Sequence, residues 1–310
     1  PFQGWLVDKY GPRRIMFVGI TMMAVGFLLF SFAQSLALIF VIYIVLIAAG
    51  SSFGLFSPAF AAVGNWFVKK RATALGIAMS GIGFGALLVN LTNFLIQELD
   101  WRGASRVIAL IVIVVGYPLA SLMRHRPEQY GLLPDGEKEL RPNPEPAAEG
   151  RGSVSEEANF TARQALRTQA FWFIHVSFAL RVFVSAGMAV HFIPIMDEKG
   201  LSAAAAAALL GLTGALSIPS RMLLGFIGDY IDKRVVIAIS AVGMGLSTLI
   251  LADSNEMWQI YVALSLFGVS TGGGVVTFAL RGEYYGRKAF ATISGMGSTI
   301  MVIGTMLGPV

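Results

Sequence analysis

No aspartate, glutamate, lysine or arginine occurs between Ile15 and Val68, a run of 54 residues. As one straight helix it would be about 80 Å long at roughly 1.5 Å per residue, whereas the hydrocarbon core of a bilayer is only about 30 Å thick. The run must fold back on itself, and the polar patch from Ser31 to Ser35, which includes Gln34, is the expected turn. Further apolar stretches follow at about 72–97, 107–123, 170–196, 202–228, 235–252, 257–280 and 289–310, so nine spans are expected in all. The chain opens on a short apolar stub, Pro1 to Val7, without a methionine, and stops inside an apolar run at Val310. It is expected to be a piece of a longer protein.

Composition agrees with a membrane chain. Hydrophobic residues fill 55% of the positions and charged residues 13%, and mean hydropathy is +0.70. A soluble domain does not tolerate this balance, and disorder needs far more charge. The net charge of +5 arises from short basic clusters between apolar runs. They form no solvated stripe, which excludes nucleic acid as a partner and leaves the lipid bilayer. With no cysteine there is no disulfide framework or thiol nucleophile. Three histidines and no carboxylate in any span centre offer no metal site and no acid/base pair. Neither an enzyme nor a cofactor is expected.

Basic residues also set the expected topology. Eleven Lys and Arg, including Arg281, fall in the short loops of one side, against Arg102, Arg106 and Lys199 on the other. The first side is then cytoplasmic, and the expected location is the cytoplasmic (inner) membrane of a bacterium. The Pro- and Glu-rich stretch after Arg124 is expected as a mobile cytoplasmic tether. The expected domains are therefore residues 1–123, a linker at 124–169, and residues 170–310.

The two membrane halves repeat. Gly4-Trp5-Leu6-Val7-Asp8 matches Gly225-Phe226-Ile227-Gly228-Asp229 at an offset of 221, with Arg13 falling on Arg234. Lys69 to Gly76 matches Lys288 to Gly295 at an offset of 219, keeping Lys, Ala, Thr and Gly in phase. Parallel repeats of membrane halves are a transporter signature.

The stretch from Gly4 through Asp8, Gly11, Arg13 and Arg14 resembles the signature loop between the second and third helices of the major facilitator superfamily. The copy at Gly225 to Arg234 is degenerate, with Asp232 where the second Gly would stand. The resemblance implies an all-α integral membrane fold of two pseudo-symmetric helical halves, here from the end of helix 2 to helix 11. It also implies that Gly4, Asp8, Gly11, Arg13, Arg14, Gly225, Asp229 and Arg234 serve conformational gating, the alternative being a topological charge anchor. In this scheme Asp8 accepts hydrogen bonds from a neighbouring helix N-terminus and pairs with Arg13 or Lys69. Asn65-Trp66-Phe67, Lys69-Lys70-Arg71, Gly81 to Gly85, Arg126 to Gly131 and Phe171-Trp172 narrow the similarity to the monocarboxylate and oxalate/formate transporter branch.

A substrate site is sought among ionisable residues inside spans. These are Arg181, Arg221, His175 and His191. Roughly 16 and 12 Å from the same edge, Arg181 and Arg221 are expected to meet near mid-membrane. Two permanent cations without a buried carboxylate call for an anion, unless backbone carbonyls or water satisfy them. The resemblance makes Arg221 the anchor of a substrate carboxylate. Ser217 stands where animal monocarboxylate carriers have an Asp, and no lysine follows Lys288 on helix 11, so a monoanion is favoured over a dianion. His191 is a candidate for proton coupling, and Asn90 and Asn93 are candidate neutral donors. Both residue types are also at home as structural hydrogen-bonding groups. The expected function is secondary transport of a small organic anion, a monocarboxylate, by alternating access in a monomer. The alternatives are a multidrug-type exporter of the same fold and a non-transporting membrane sensor.

Overall fold

In the computed structural model, residues 2–85, 88–136 and 160–310 are described, and they contain helices and turns but no strand. The helices are α1 (Phe2–Tyr10), α2 (Pro12–Phe30), α3 (Leu36–Trp66), α4 (Arg71–Gly85), α5 (Leu88–Leu122) and the short α6 (Ala162–Leu166). They continue with α7 (Gln169–Glu198), α8 (Ala203–Tyr230), α9 (Lys233–Ala252), α10 (Met257–Tyr285) and α11 (Phe290–Leu307). Their starts follow from capping chemistry. Ser35, Thr168 and Ser202 each accept the backbone N–H three residues on, and Asp232 accepts that of Arg234. Such caps satisfy donors that no helical carbonyl reaches. Gly11, at φ 83°, makes the sharp turn between α1 and α2, a conformation open to glycine at little cost.

Eight helices among the described residues are long and apolar enough to cross a bilayer, against nine expected spans. The difference lies at the stretch expected at 72–97. It is shared between α4 and the start of α5, and residues 86–87 between them fall outside the described set. Asp100, at φ 61° and ψ 163°, breaks α5 where the expected loop between spans lies. Outward side chains such as Phe40, Ile44, Leu110 and Val114 are exposed, as a lipid-facing surface requires. The chain is a multi-pass membrane protein.

Two compact units can be distinguished. The first gathers the described residues of Pro1–Val68, Leu87–Glu157 and Arg287–Gly295. Within it α2 packs along α3 and α5, and Val7, Ile15, Ala61, Phe290 and Ala291 form one buried cluster. The second gathers Lys69–Ala86, the described residues of Ala158–Gly286, and Met296–Val310. Its most extensive helix contact is α4 on α8, and a core of Phe192, Met196, Leu209, Leu251, Ile260 and Leu264 ties α7 through α10 at one end.

The start of the linker, expected as a tether, is docked. Trp66 donates its indole N–H to the Arg124 carbonyl at 3.2 Å, and Asn65 donates to the His125 carbonyl at 3.2 Å. Pro127–Tyr130 form a 3-10 turn that places Glu128 2.7 Å from Arg287. The Val68 N–H donates to Asp135 at 3.0 Å. Within the first unit these contacts hold the linker start on the end of α3, because the end of that helix presents polar groups that the turn can satisfy. Residues 137–159, the rest of the expected tether, lie outside the described set.

Candidate functional site

The two signature loops perform the same act in the two units. In the first, the Asp8 carboxylate accepts from the Ala291 N–H at 3.2 Å, the Thr292 N–H at 2.8 Å and the Thr292 hydroxyl at 2.6 Å. In the second, Asp229 accepts from the Ala72 N–H at 2.9 Å, the Thr73 N–H at 2.9 Å and the Thr73 hydroxyl at 2.6 Å. Each carboxylate therefore sits at the positive end of a helix, α11 or α4, and meets donors that lack helical partners. Glycine allows the approach. A Cβ at Gly4 would overlap the Ala291 carbonyl, and one at Gly225 would lie 2.6 Å from the Ala72 carbonyl oxygen. The basic partners stand apart. Arg13 is exposed with its guanidinium 5.9 Å from the Phe17 ring, Arg14 is exposed, and Arg234 donates to the Tyr284 hydroxyl.

Arg181 and Arg221 both belong to the second unit. Gly76 and Gly225 bring α4 and α8 together, for a Cβ at Gly76 would be 2.6 Å from the Arg221 carbonyl oxygen. One turn further along α4, the Met79 carbonyl accepts from Arg221 Nη1 at 3.1 Å. Arg181, on α7, donates to the Ser270 carbonyl of α10. The two positive charges are close enough to repel each other. Asp197, Glu198 and Asp229, the acidic residues of α7 and α8, lie at helix ends. Each guanidinium carries five N–H donors, and a single carbonyl neutralises no charge. The pair is an electropositive locus inside the spans, suited to an oxyanion.

Comparison with known proteins decides the family. The Major Facilitator Superfamily matches residues 1–309. The chain belongs to the major facilitator superfamily. Relatives are monocarboxylate transporter 12 of Xenopus laevis, 26% identical over all of this chain and 69% of its own length, and monocarboxylate transporter 2 of Homo sapiens, 23% identical over all of this chain and 66% of its own. The oxalate:formate antiporter of Oxalobacter formigenes is 22% identical over 99% of this chain and 71% of its own. The chain thus spans about two thirds of the length of these relatives. The solved fucose:proton symporter of E. coli has the same fold, with a TM-score of 0.69 at 16% identity, covering 99% of this chain and 82% of that one.

Other expected site residues of this superfamily member are placed as follows. Ser217 is buried and donates to the Gly214 carbonyl of its own helix at 2.8 Å. His191 is exposed, and its Nε2–H donates to the Pro309 carbonyl at 2.9 Å. It borders a cleft of about 850 Å³ in the second unit that also reaches Glu198, Lys199 and Asn255. Asn93 is exposed on α5 in the first unit, and the side chain of Asn90 lies outside the described residues.

Thr73, Thr292 and Arg281 were not foreseen. Thr73 and Thr292 complete the carboxylate cages, and their in-phase positions in the repeat were the available signal. Arg281, counted in a loop from the sequence, is 1% exposed inside α10. His175 is fully buried, with Nδ1–H donating to the Phe171 carbonyl at 2.8 Å.

Proposed function

We propose that this transporter moves a small organic anion, a monocarboxylate, across the cytoplasmic membrane of a bacterium by alternating access, with the linker on the cytoplasmic side. Arg221 anchors the substrate carboxylate and Arg181 supplies a second positive charge. The observation that carries the proposal is the pair Arg181 and Arg221, half-buried on neighbouring helices of one unit with backbone carbonyls as their hydrogen-bond acceptors. A carboxylate offers the charge that a carbonyl lacks, and arginine binds it through two parallel N–H bonds. The names of the monocarboxylate and oxalate:formate relatives agree with this substrate class. Ser217, beside Arg221 on α8, bonds its own helix and leaves the site without a carboxylate that would compete for the arginine.

The gate in this proposal is the pair of carboxylate cages. Asp8 and Asp229 hold α11 and α4 in one state, and their release accompanies opening. Proton coupling is assigned in this proposal to His191, which borders the cleft of the second unit. Counterflow into proteoliposomes of the full-length protein, preloaded in turn with lactate, pyruvate, formate, oxalate and a lipophilic cation, tests the substrate class. Exchange with one or more monocarboxylates is expected, and exchange with the cation alone would replace the anion carrier by an exporter.

A further inference from the structure

α7 and α10 run antiparallel in the second unit and share a seam. On α7 the seam is His175, Phe178 and Arg181, three residues apart and hence on one face. On α10 it is Ser270, Gly274, Phe278 and Arg281. Arg181 donates to Ser270 at one end of this seam. Phe178 and Phe278 meet edge to face in the middle, with ring centroids 5.4 Å apart. At the linker end lies Arg281, its guanidinium 5.0 Å from the Phe178 ring and 4.3 Å from the Phe278 ring. Arg281 is 1% exposed, and its buried Nε has no hydrogen-bond partner among the described residues. No salt bridge to Arg281 is found among the described residues. His175 is fully buried on the same seam, and an imidazole brings no negative charge.

A guanidinium removed from water needs both hydrogen bonds and countercharge, and the faces of two phenyl rings recover only part of that loss. We propose that Arg281 is a second station for a small monovalent anion, on the linker side of Arg181 and about 10 Å along α10 from Gly274, the position that faces the Arg181 side chain. The anion accepts from the Nε–H that is otherwise unpartnered among the described residues. Two sources have this chemistry, a carboxylate substrate in passage and a resident halide. The inference rests on the anion-transport proposal for the carboxylate source only.

The test is thermal unfolding of purified full-length protein in a zwitterionic buffer free of chloride and carboxylates, titrated separately with formate and chloride. The Arg181→Gln/Arg221→Gln variant removes the first station. It is expected to retain a saturable rise in Tm with at least one of the two anions, and adding Arg281→Gln is expected to weaken half-saturation at least about tenfold, the worth of a charge-assisted hydrogen bond. A response to formate alone assigns the station to the substrate, and a response to chloride alone assigns it to a resident halide. If Arg281→Gln does not fold in that background, Arg281→Lys, which keeps charge but loses the fork, is expected to shift half-saturation in the same direction. The proposal is overturned if the Arg181→Gln/Arg221→Gln variant responds to neither anion, or if its response is the same with residue 281 changed. Failure of the transport proposal looks different, because it appears as absent carboxylate counterflow in the unsubstituted protein.

Discussion

At the scale of single residues, Asp8 and Asp229 were legible because charge, spacing and repetition coincide. An aspartate followed by a glycine or aspartate and then an arginine, twice at the same offset, marks two equivalent loops. Their hydrogen-bond donors are backbone N–H groups and a threonine hydroxyl, which no charge pattern reveals. Asp229→Ala is expected to lower unfolding free energy by about 1–3 kcal/mol, the range for losing a helix cap with charge-assisted bonds. Asp229→Asn is expected to lose less. Thermal unfolding in detergent measures both, and an unchanged Tm for Asp229→Ala would remove the cage from the proposed gate. His125, in the docked linker start, gives a pH prediction. Burial first, and then the neighbouring Arg126, hold its imidazole below the usual histidine range, with Glu128 opposing. The folded chain therefore binds this proton less readily than the unfolded chain, so the contribution of His125 is full above about pH 6.5 and falls away as pH drops below it. His125→Asn is expected to flatten the Tm profile below pH 6.5, and an unaltered slope would contradict that assignment. Arg281 was not legible. One turn from the end of α10 and close to Arg287 and Lys288, it reads in sequence as a loop residue, and only the arrangement of Phe178 and Phe278 around it shows otherwise.

At the scale of helices, apolar runs located nearly every element, since length and hydropathy are what a bilayer selects. The break at Asp100 falls in the loop that the apolar pattern predicts, whereas the docking of Arg124 to Gly136 depends on side-chain contacts that this pattern does not encode. Close contact between α4 and α8 gives a contrasting pair of predictions. Gly225→Leu places a Cβ against the Ala72 carbonyl and is expected to cost roughly 1–3 kcal/mol or abolish folding. Gly81→Ala, on the same α4 with nothing within 4 Å of its Cβ, is expected to be neutral or to stabilise by up to about 1 kcal/mol through helix propensity. Yield and Tm of the two variants check this. Equal behaviour would show that the contact of α4 with α8 is not tight in the membrane. Glu128→Gln tests the linker dock. Although burial would raise the Glu128 pKa, hydrogen bonds from its own backbone and Arg287, with the charges of Arg287 and Arg126, hold it below the usual range. Its contribution is thus present above the ordinary glutamate pKa and is lost as pH falls below it. Faster proteolytic cleavage of the linker start is expected in Glu128→Gln, and cleavage at the same rate would mean that the ion pair does not hold the dock.

At the scale of the whole molecule, the sequence repeat becomes two copies of one contact. Gly4 and Asp8 meet Ala291 and Thr292 in one unit, and Gly225 and Asp229 meet Ala72 and Thr73 in the other. The offsets of 221 and 219 differ by two residues and still align donor with acceptor, so the repeat is a property of the fold and not of composition. Family membership was legible from these loops because they combine charge with glycine at positions where few alternatives fit. Substrate identity was not, because a guanidinium pairs with many oxyanions. The most direct test of an anion site at Arg221 is carboxylate counterflow by full-length protein carrying Arg221→Ala, with Tm recorded to confirm folding. Loss of saturable exchange in a folded variant is expected, with Arg221→Lys recovering a small part of it, whereas undiminished exchange by Arg221→Ala would contradict the role of that arginine.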